Sequence, residues 1–248
     1  MMGDEDYNLL DIIDTPEPFV GSGTTRDGIK LPSLPTTSYS YDPIDYSPTS
    51  DHKANGSFRE NFGRGKRDLN SVLIGGYIKC EGPSDEEIRV KLGGGAHSDS
   101  DSGKAGRCYE IGIKISGTTV TIRKEGAHSD YHETGMSVSN LNLGNRSNHY
   151  TGVMFMKVNQ IIYGKECVRC ICWIDTAGMS DTGILNSAAQ DWKKVIDATD
   201  SGDWFSDVWL TTAKPGDSIA TLRTDQQDPT SYRVIHLFCS RIKGGPAY

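Results

Sequence analysis

The chain contains no apolar run of the roughly 18 residues that a membrane-spanning helix requires, and none of its 248 residues forms the long amphipathic pattern of a convincing helix. Its N-terminus, MMGDEDYNLLDIID, is acidic and lacks the basic region followed by an apolar stretch that marks a Sec signal, so export by that route is not expected. A broad basic face is also missing. The net charge is −7 and the isoelectric point about 5.4, which argues against general nucleic-acid binding, because neutralising phosphates takes many clustered Lys and Arg. Only RENFGRGKR, at 59–67, is locally basic; it reads as a solvated linker that ends at a dibasic pair, Lys66 and Arg67. Cysteine is scarce. The six residues Cys80, Cys108, Cys167, Cys170, Cys172 and Cys239 are too few at this length for a disulfide framework, and Cys167 and Cys170 form a C-x-x-C with no second pair at zinc-ligand spacing. Buried free thiols are the expectation.

What is present divides at residue 67. Six of the ten prolines fall in residues 1–67. Residues 1–51 hold ten Asp/Glu against Arg26 and Lys30, whereas 52–67 hold five Lys/Arg against Glu60. A segment of this composition buries too little apolar area to offset its own ordering entropy, so residues 1–67 read as a long extended arm that is either disordered or laid over another surface. Leu9, Leu10, Ile12 and Ile13 form an apolar cluster that suits an assembly anchor, which points to a homo-oligomer. Residues 68–248 read as one folded domain.

From residue 70 the apolar period becomes two. Ile88, Val90 and Leu92 alternate with Arg89 and Lys91, and Tyr109, Ile111, Ile113 and Ile115 alternate with Glu110, Gly112 and Lys114. SGT at 116–118 is a turn, and TVTIRK returns with Val120 and Ile122 inward. Further strands are expected at VLIGGYIKC, YTGVMFMKV, CVRCICWID, DVWLTT and YRVIHLFCS, while LNSAAQDWKKVI fits a short helix as well as a strand. Short strands with Gly-rich turns predict an all-β antiparallel sandwich of two sheets, with a wet face carrying Arg89, Lys91, Lys114 and Arg123.

The pentapeptide GAHSD occurs twice, at 95–99 and 126–130. If 88–92, 108–115 and 119–124 are successive antiparallel strands, the loops 93–107 and 125–137 leave the same end of the sheet. His97, Asp99, Asp101, His128, Asp130, His132 and Glu133 then line one rim. Three chemistries fit it. His with Asp or Glu suits Zn²⁺, and the oxygen-rich SDSDSG suits Ca²⁺, with Asp99, Asp101 and Asp130 as candidate ligands, although neither loop keeps an established ligand spacing. A glycan cradle fits as well: Gly admits the ligand close to the backbone, Arg89, Lys91, His97, Arg123, His128 and His132 supply hydrogen bonds and charge, and Tyr131 supplies a stacking surface. The third reading is structural, since Gly, Ser and Asp are turn formers and an exposed His needs no further role.

GGGAHSDSDSGKAGRCYEIGIKISGTTVTIRKEGAHSDYHETG, followed by CWID and DWKKVIDATDSGDW, resembles concanavalin A-like jelly-roll proteins, the group that includes alginate-lyase-type polysaccharide lyases and laminin-G-like modules. The resemblance covers about residues 70 to 242. It implies a jelly-roll sandwich whose concave face receives extended glycan. The lyase-type members share an Arg-x-Glu-Leu strand, a Gln-(Ile/Val)-His strand and a Tyr-Phe-Lys-Ala-Gly-x-Tyr strand. Here EIRVK (87–91) is a loose analogue of the first, no Gln-x-His occurs, and FMKVNQ (155–160) lacks the tyrosine. The paired carboxylates that flank a glycosidic bond in jelly-roll glucanases are also missing, WIDTAG offering Asp175 alone. The expected function is therefore noncatalytic: a structural, glycan-binding subunit that self-assembles through its arm, as in a virion or an exported appendage. The alternative is a lyase of uronate-containing glycans, with Arg89, Lys91, His97, His128 and Tyr131 as its acid, base and carboxylate-binding groups.

Overall fold

Alternating Ile and Val side chains along successive segments find their partner surface in a second sheet. The computed structural model describes residues 71–94, 108–127 and 130–204, together with shorter strands at 19–20, 40–44, 53–54, 57–62, 219–224 and 231–243. Side chains are described for 71–92, 108–125 and 137–204. Among the described residues none is helical. The strands are β1 (Phe19–Val20), β2 (Ser40–Ile44), β3 (Lys53–Ala54), β4 (Ser57–Phe62), β5 (Val72–Glu81), β6 (Glu87–Gly94), β7 (Cys108–Lys114), β8 (Thr119–Ala127), β9 (Asp130–Ser139), β10 (Thr151–Ile162), β11 (Lys165–Asp175), β12 (Lys193–Asp200), β13 (Ile219–Thr224) and β14 (Ser231–Lys243).

They form two antiparallel sheets, one ordered β1-β2-β14-β5-β10-β11-β12 and the other β3-β4-β13-β6-β7-β8-β9. Each sheet ends in a block of four strands, β5-β10-β11-β12 and β6-β7-β8-β9. The two blocks bury Ile74, Ile78, Val90, Ile111, Ile122 and Phe155 between them. In β6, β7 and β8 the Ile, Val and Leu residues lie on the one face turned to this core and alternate with polar residues and Gly112. A second apolar cluster lies on the outer face of the first sheet, where Tyr77, Met154, Trp173 and Met179 pack with Leu185 and Trp192.

Several expectations change. Segment 185–192 is neither helix nor strand: it belongs to an irregular connection that returns over the second cluster, and the strand begins only at Lys193. The loop expected at 125–137 is mostly strand, because β8 runs on to Ala127 and β9 begins at Asp130. β9 is an outermost strand of polar sequence, DYHETGMSVS, and edge strands carry polar residues that hide their period. Within 1–67, β2 pairs with β14 and β4 with β13, so at those positions the segment extends the chain's own sheets. Leu9, Leu10, Ile12 and Ile13, and the strand expected at DVWLTT, lie outside the described residues.

Candidate functional site

The register fixes which loops meet. Leu92 pairs with Tyr109, Tyr109 with Lys124 and Lys124 with His132, so β6 ends, β7 begins, β8 ends and β9 begins at one pole of the second sheet. The strand ends that flank both GAHSD copies thus share that pole. In the facing sheet, Lys124 and Tyr109 reach Asp200 at the end of β12, and Asp200 is in register with Val168 near the start of β11. The β10–β11 hairpin tip therefore projects at the same pole. At the opposite pole the β7–β8 turn is bonded to the segment entering β10, through Leu143 N–H to Gly117 O and Arg146 N–H to Ile115 O.

The hairpin tip has an unusual conformation for its sequence. Tyr163 and Gly164 have φ of 51° and 77°, the pair of positive angles that a two-residue type I′ turn demands and that Asn-Gly normally supplies. A bulky aromatic in the left-handed region is an outlier. Its ring is fully exposed, and Ile161 beside it is half exposed.

Of the residues expected at the rim, His97, Asp99, Asp101 and His128 lie outside the described residues. Asp130, Tyr131, His132 and Glu133 are placed by their backbone on β9, with Tyr131 in register with Glu125 and Glu133 with Arg123. Among the described residues no group of three or more His, Cys, Asp or Glu side chains is arranged to hold a metal ion.

Arg89, Lys91 and Arg123 do converge, as alternation required, but the face they share is not wet. Lys91 and Arg123 are buried, together with Glu87, Glu110 and Glu125, and Arg89 is nearly so. Arg123 donates two hydrogen bonds to Glu87, at 2.8 and 2.9 Å, and one to Glu110 at 3.2 Å. Arg89 lies 3.1 Å from Glu87 and 3.3 Å from Glu110, and Lys91 lies 2.9 Å from Glu125 and 3.5 Å from Glu110. Three cations and three carboxylates thus interleave across β6, β7 and β8. Gly112 lies beneath this network, and a β-carbon there would run into Nη1 of Arg123 and Oε2 of Glu87. Alternation identifies residues that share a face; it does not say whether the face is covered. Lys114 is half-buried at the far end of β7.

The network sets the local protonation chemistry. Burial alone would push the Glu87 carboxyl up, yet the hydrogen bonds and charge of Arg123, with those of Arg89, hold it below its ordinary value. Arg123 is correspondingly held above the usual arginine range despite its burial. The thiols behave in the opposite way. Burial raises Cys108, Cys170 and Cys172, and pushes Cys80 up to about 12. Those four therefore stay protonated, and with Cys167 they are free, buried and act as small apolar residues.

Sequence reasoning missed a further polar group, this one inside the sandwich. Lys124, Lys157 and Asp200 are fully buried. The signal was available in the alternation: Lys124 has the parity of inward Val120 and Ile122, Lys157 that of Val153 and Phe155, and Asp200 that of Ile196 and Ala198.

No protein-family model matches the chain, and no curated protein matches its sequence. Solved structures similar to it at low score include two. One is described as the CBM2 module of the evolved Dit of Lactobacillus casei BL23 phage J-1, with 10% identity and a TM-score of 0.38 over 85% of this chain and 78% of that one. The other is the exoplasmic/lumenal domain of VIP36 in a Ca²⁺/Man3GlcNAc-bound form, with 13% identity and a TM-score of 0.37 over 87% of this chain and 82% of that one.

Proposed function

We propose that the chain is a noncatalytic subunit, built on a jelly-roll sandwich, that binds glycan at the pole carrying the GAHSD segments and self-assembles through residues 1–67 into a virion or appendage structure. The observation that carries this reading is the convergence at that pole of the strand ends flanking both pentapeptides with a hairpin tip that holds Tyr163 in solvent. Exposed aromatic faces stack on the C–H faces of sugar rings, and His and Asp hydrogen-bond to sugar hydroxyls. His97, His128, Tyr131 and His132 supply those groups, with Asp99, Asp101 and Asp130 available for a cation. Arg89, Lys91 and Arg123 then serve as scaffold, because each is already ion-paired within the network. The same pairing weighs against the uronate lyase, which needs a cation facing solvent to hold the substrate carboxylate and groups free to move a proton.

Affinity electrophoresis in gels cast with uronate-containing or neutral polysaccharides tests the binding half. The His97→Ala/His128→Ala double variant and Tyr163→Ala are expected to weaken retention about tenfold, or ~1.4 kcal/mol, with unchanged thermal midpoints. Retention equal to the parent in both variants sinks the polar site, and appearance of the ultraviolet-absorbing unsaturated uronate product turns the assignment to the lyase. Assembly is tested by sedimentation of the full chain against a variant with Leu9, Leu10, Ile12 and Ile13 all changed to Asp. The variant is expected to sediment as a smaller species than the parent. Identical sedimentation removes the anchor role.

A further inference from the structure

A lysine and an aspartate inside a sandwich core are costly as ions, since each loses its hydration and regains only part of it from its surroundings. Lys124 on β8 and Asp200 at the end of β12 are both fully buried, with Nζ 2.6 Å from Oδ2. Two further donors hold the same carboxyl. The Tyr109 hydroxyl donates to Oδ2 at 2.6 Å, and the Gly202 backbone N–H donates to Oδ1 at 2.8 Å. Lys124 Nζ also sits 5.5 Å from the centre of the Tyr109 ring, which makes a T-shaped contact with Trp204. The interior carries more positive charge nearby: Lys157 is fully buried, and the Cys170 thiol lies within electrostatic reach of Lys157, Asp200 and Lys124 together.

We propose that Lys124 and Asp200 condense to an intramolecular isopeptide bond that joins the two sheets. One proton passes along the contact, converting ammonium and carboxylate to amine and carboxylic acid. The Nζ lone pair then attacks Cγ. As the new N–C bond forms, the carbonyl π pair moves onto Oδ1, where the Gly202 N–H stabilises the oxyanion as backbone donors do in acyl transfer. The Nζ proton passes to Oδ2, with Tyr109 as the hydrogen-bonded relay, the C–O bond breaks, and Oδ2 departs as water. Lys124 loses its charge, Asp200 loses its carboxylate, and no oxidant or co-reactant is consumed. The product amide is neutral, so the reaction removes two buried charges, and the escape of water from an apolar site favours the forward direction. The link spans 76 positions of sequence. A cross-link that closes a loop of this size restricts the unfolded chain in the manner of a disulfide, in a domain whose described cysteines are all free.

Intact mass spectrometry of the denatured full-length chain decides the matter. The parent is expected to be lighter than its sequence by one water, with a single branched proteolytic peptide joining the segments around 124 and 200. Lys124→Arg, which keeps the charge but lacks a competent nucleophile, and Asp200→Ala should both have their full sequence mass. Tyr109→Phe should accumulate the linked form more slowly in a time course after refolding. The linked parent should melt roughly 10 °C above Lys124→Arg. A parent of full mass whose two peptides are recovered unlinked overturns the proposal, whether or not the variants fold. So does a water deficit that persists in Lys124→Arg and maps to Asp200–Ser201, because that deficit is a cyclised aspartyl residue.

Discussion

Asp175→Ala is expected to lower the unfolding free energy by about 3–5 kcal/mol. The carboxylate is buried and accepts from four donors: the Tyr77 hydroxyl at 2.5 Å and the backbone N–H groups of Ala177, Gly178 and Asp191 at 3.1, 2.9 and 3.0 Å. Those bonds fold the connection after β11 back over the first sheet, so that Met179, Leu185 and Trp192 cover Tyr77 and Trp173. Gly178 is required where it stands, because a β-carbon there would collide with the Tyr77 hydroxyl, Asp175 Oδ2 and Gln190. Alanine at 175 leaves the Tyr77 hydroxyl and the Gly178 N–H buried without an acceptor and loosens the apolar cover as well. Tyr77→Phe removes one donor and leaves the carboxylate three others, so its cost should be only about 1 kcal/mol. Asp175→Asn, which keeps the shape but turns an amide donor toward a ring of donors, should fall between them. Urea midpoints, with near-ultraviolet circular dichroism to follow Trp173 and Trp192, rank the three. Equal midpoints for Asp175→Ala and the parent would show that this clamp does not hold the connection. In the sequence Asp175 attracted notice only as the single acid of WIDTAG; its role is to hold a loop.

Period-two alternation made β6, β7 and β8 legible, because their Ile, Val and Leu residues all lie on the one face turned to the shared core. It located those three to within a few residues of their spans, while β5, β10, β11 and β14 were found as runs of Val, Ile, Met and Phe, the first three being buried on both faces. Neither signal reached β9 or segment 185–192. β9 lies at a sheet edge with polar residues throughout, and the apolar residues of 185–192 serve the outer cluster, so their spacing follows an irregular path and mimics a helix. The common end of the two GAHSD segments was legible too, since it follows from the antiparallel succession of strands 88–92, 108–115 and 119–124. Burial of charge was not. Lys is assigned to solvent by default, and only the parity of Lys124, Lys157 and Asp200 with their apolar neighbours argues otherwise. Tyr163 escaped notice because Tyr-Gly is a poor type I′ sequence; its strain becomes visible only in the backbone angles.

The charged face carries the second large effect, and it depends on pH. Arg123→Ala is expected to cost about 3–5 kcal/mol at neutral pH, because it leaves Glu87 and Glu110 buried with fewer partners. Arg123→Lys should recover only part of this loss, since one ammonium cannot reproduce the two parallel bonds to Glu87. The sign of the pH dependence follows from Glu87, whose carboxyl is held below its ordinary value of 4.5 by Arg123 and Arg89 against the upward push of burial. A carboxyl lowered on folding contributes stability that is complete above its unfolded value and is lost as pH falls through its folded value. The parent therefore gives up this contribution in acid. In Arg123→Ala the upward push of burial has less to oppose it, so Glu87 takes up its proton at higher pH and the variant has less left to lose. The stability gap between parent and variant should accordingly be widest at neutral pH and narrow as the solution is acidified. Urea unfolding of both proteins across that range measures the gap directly. A gap that stays constant would mean that Arg123 stabilises the sheet by packing of its stem rather than by its bond to Glu87.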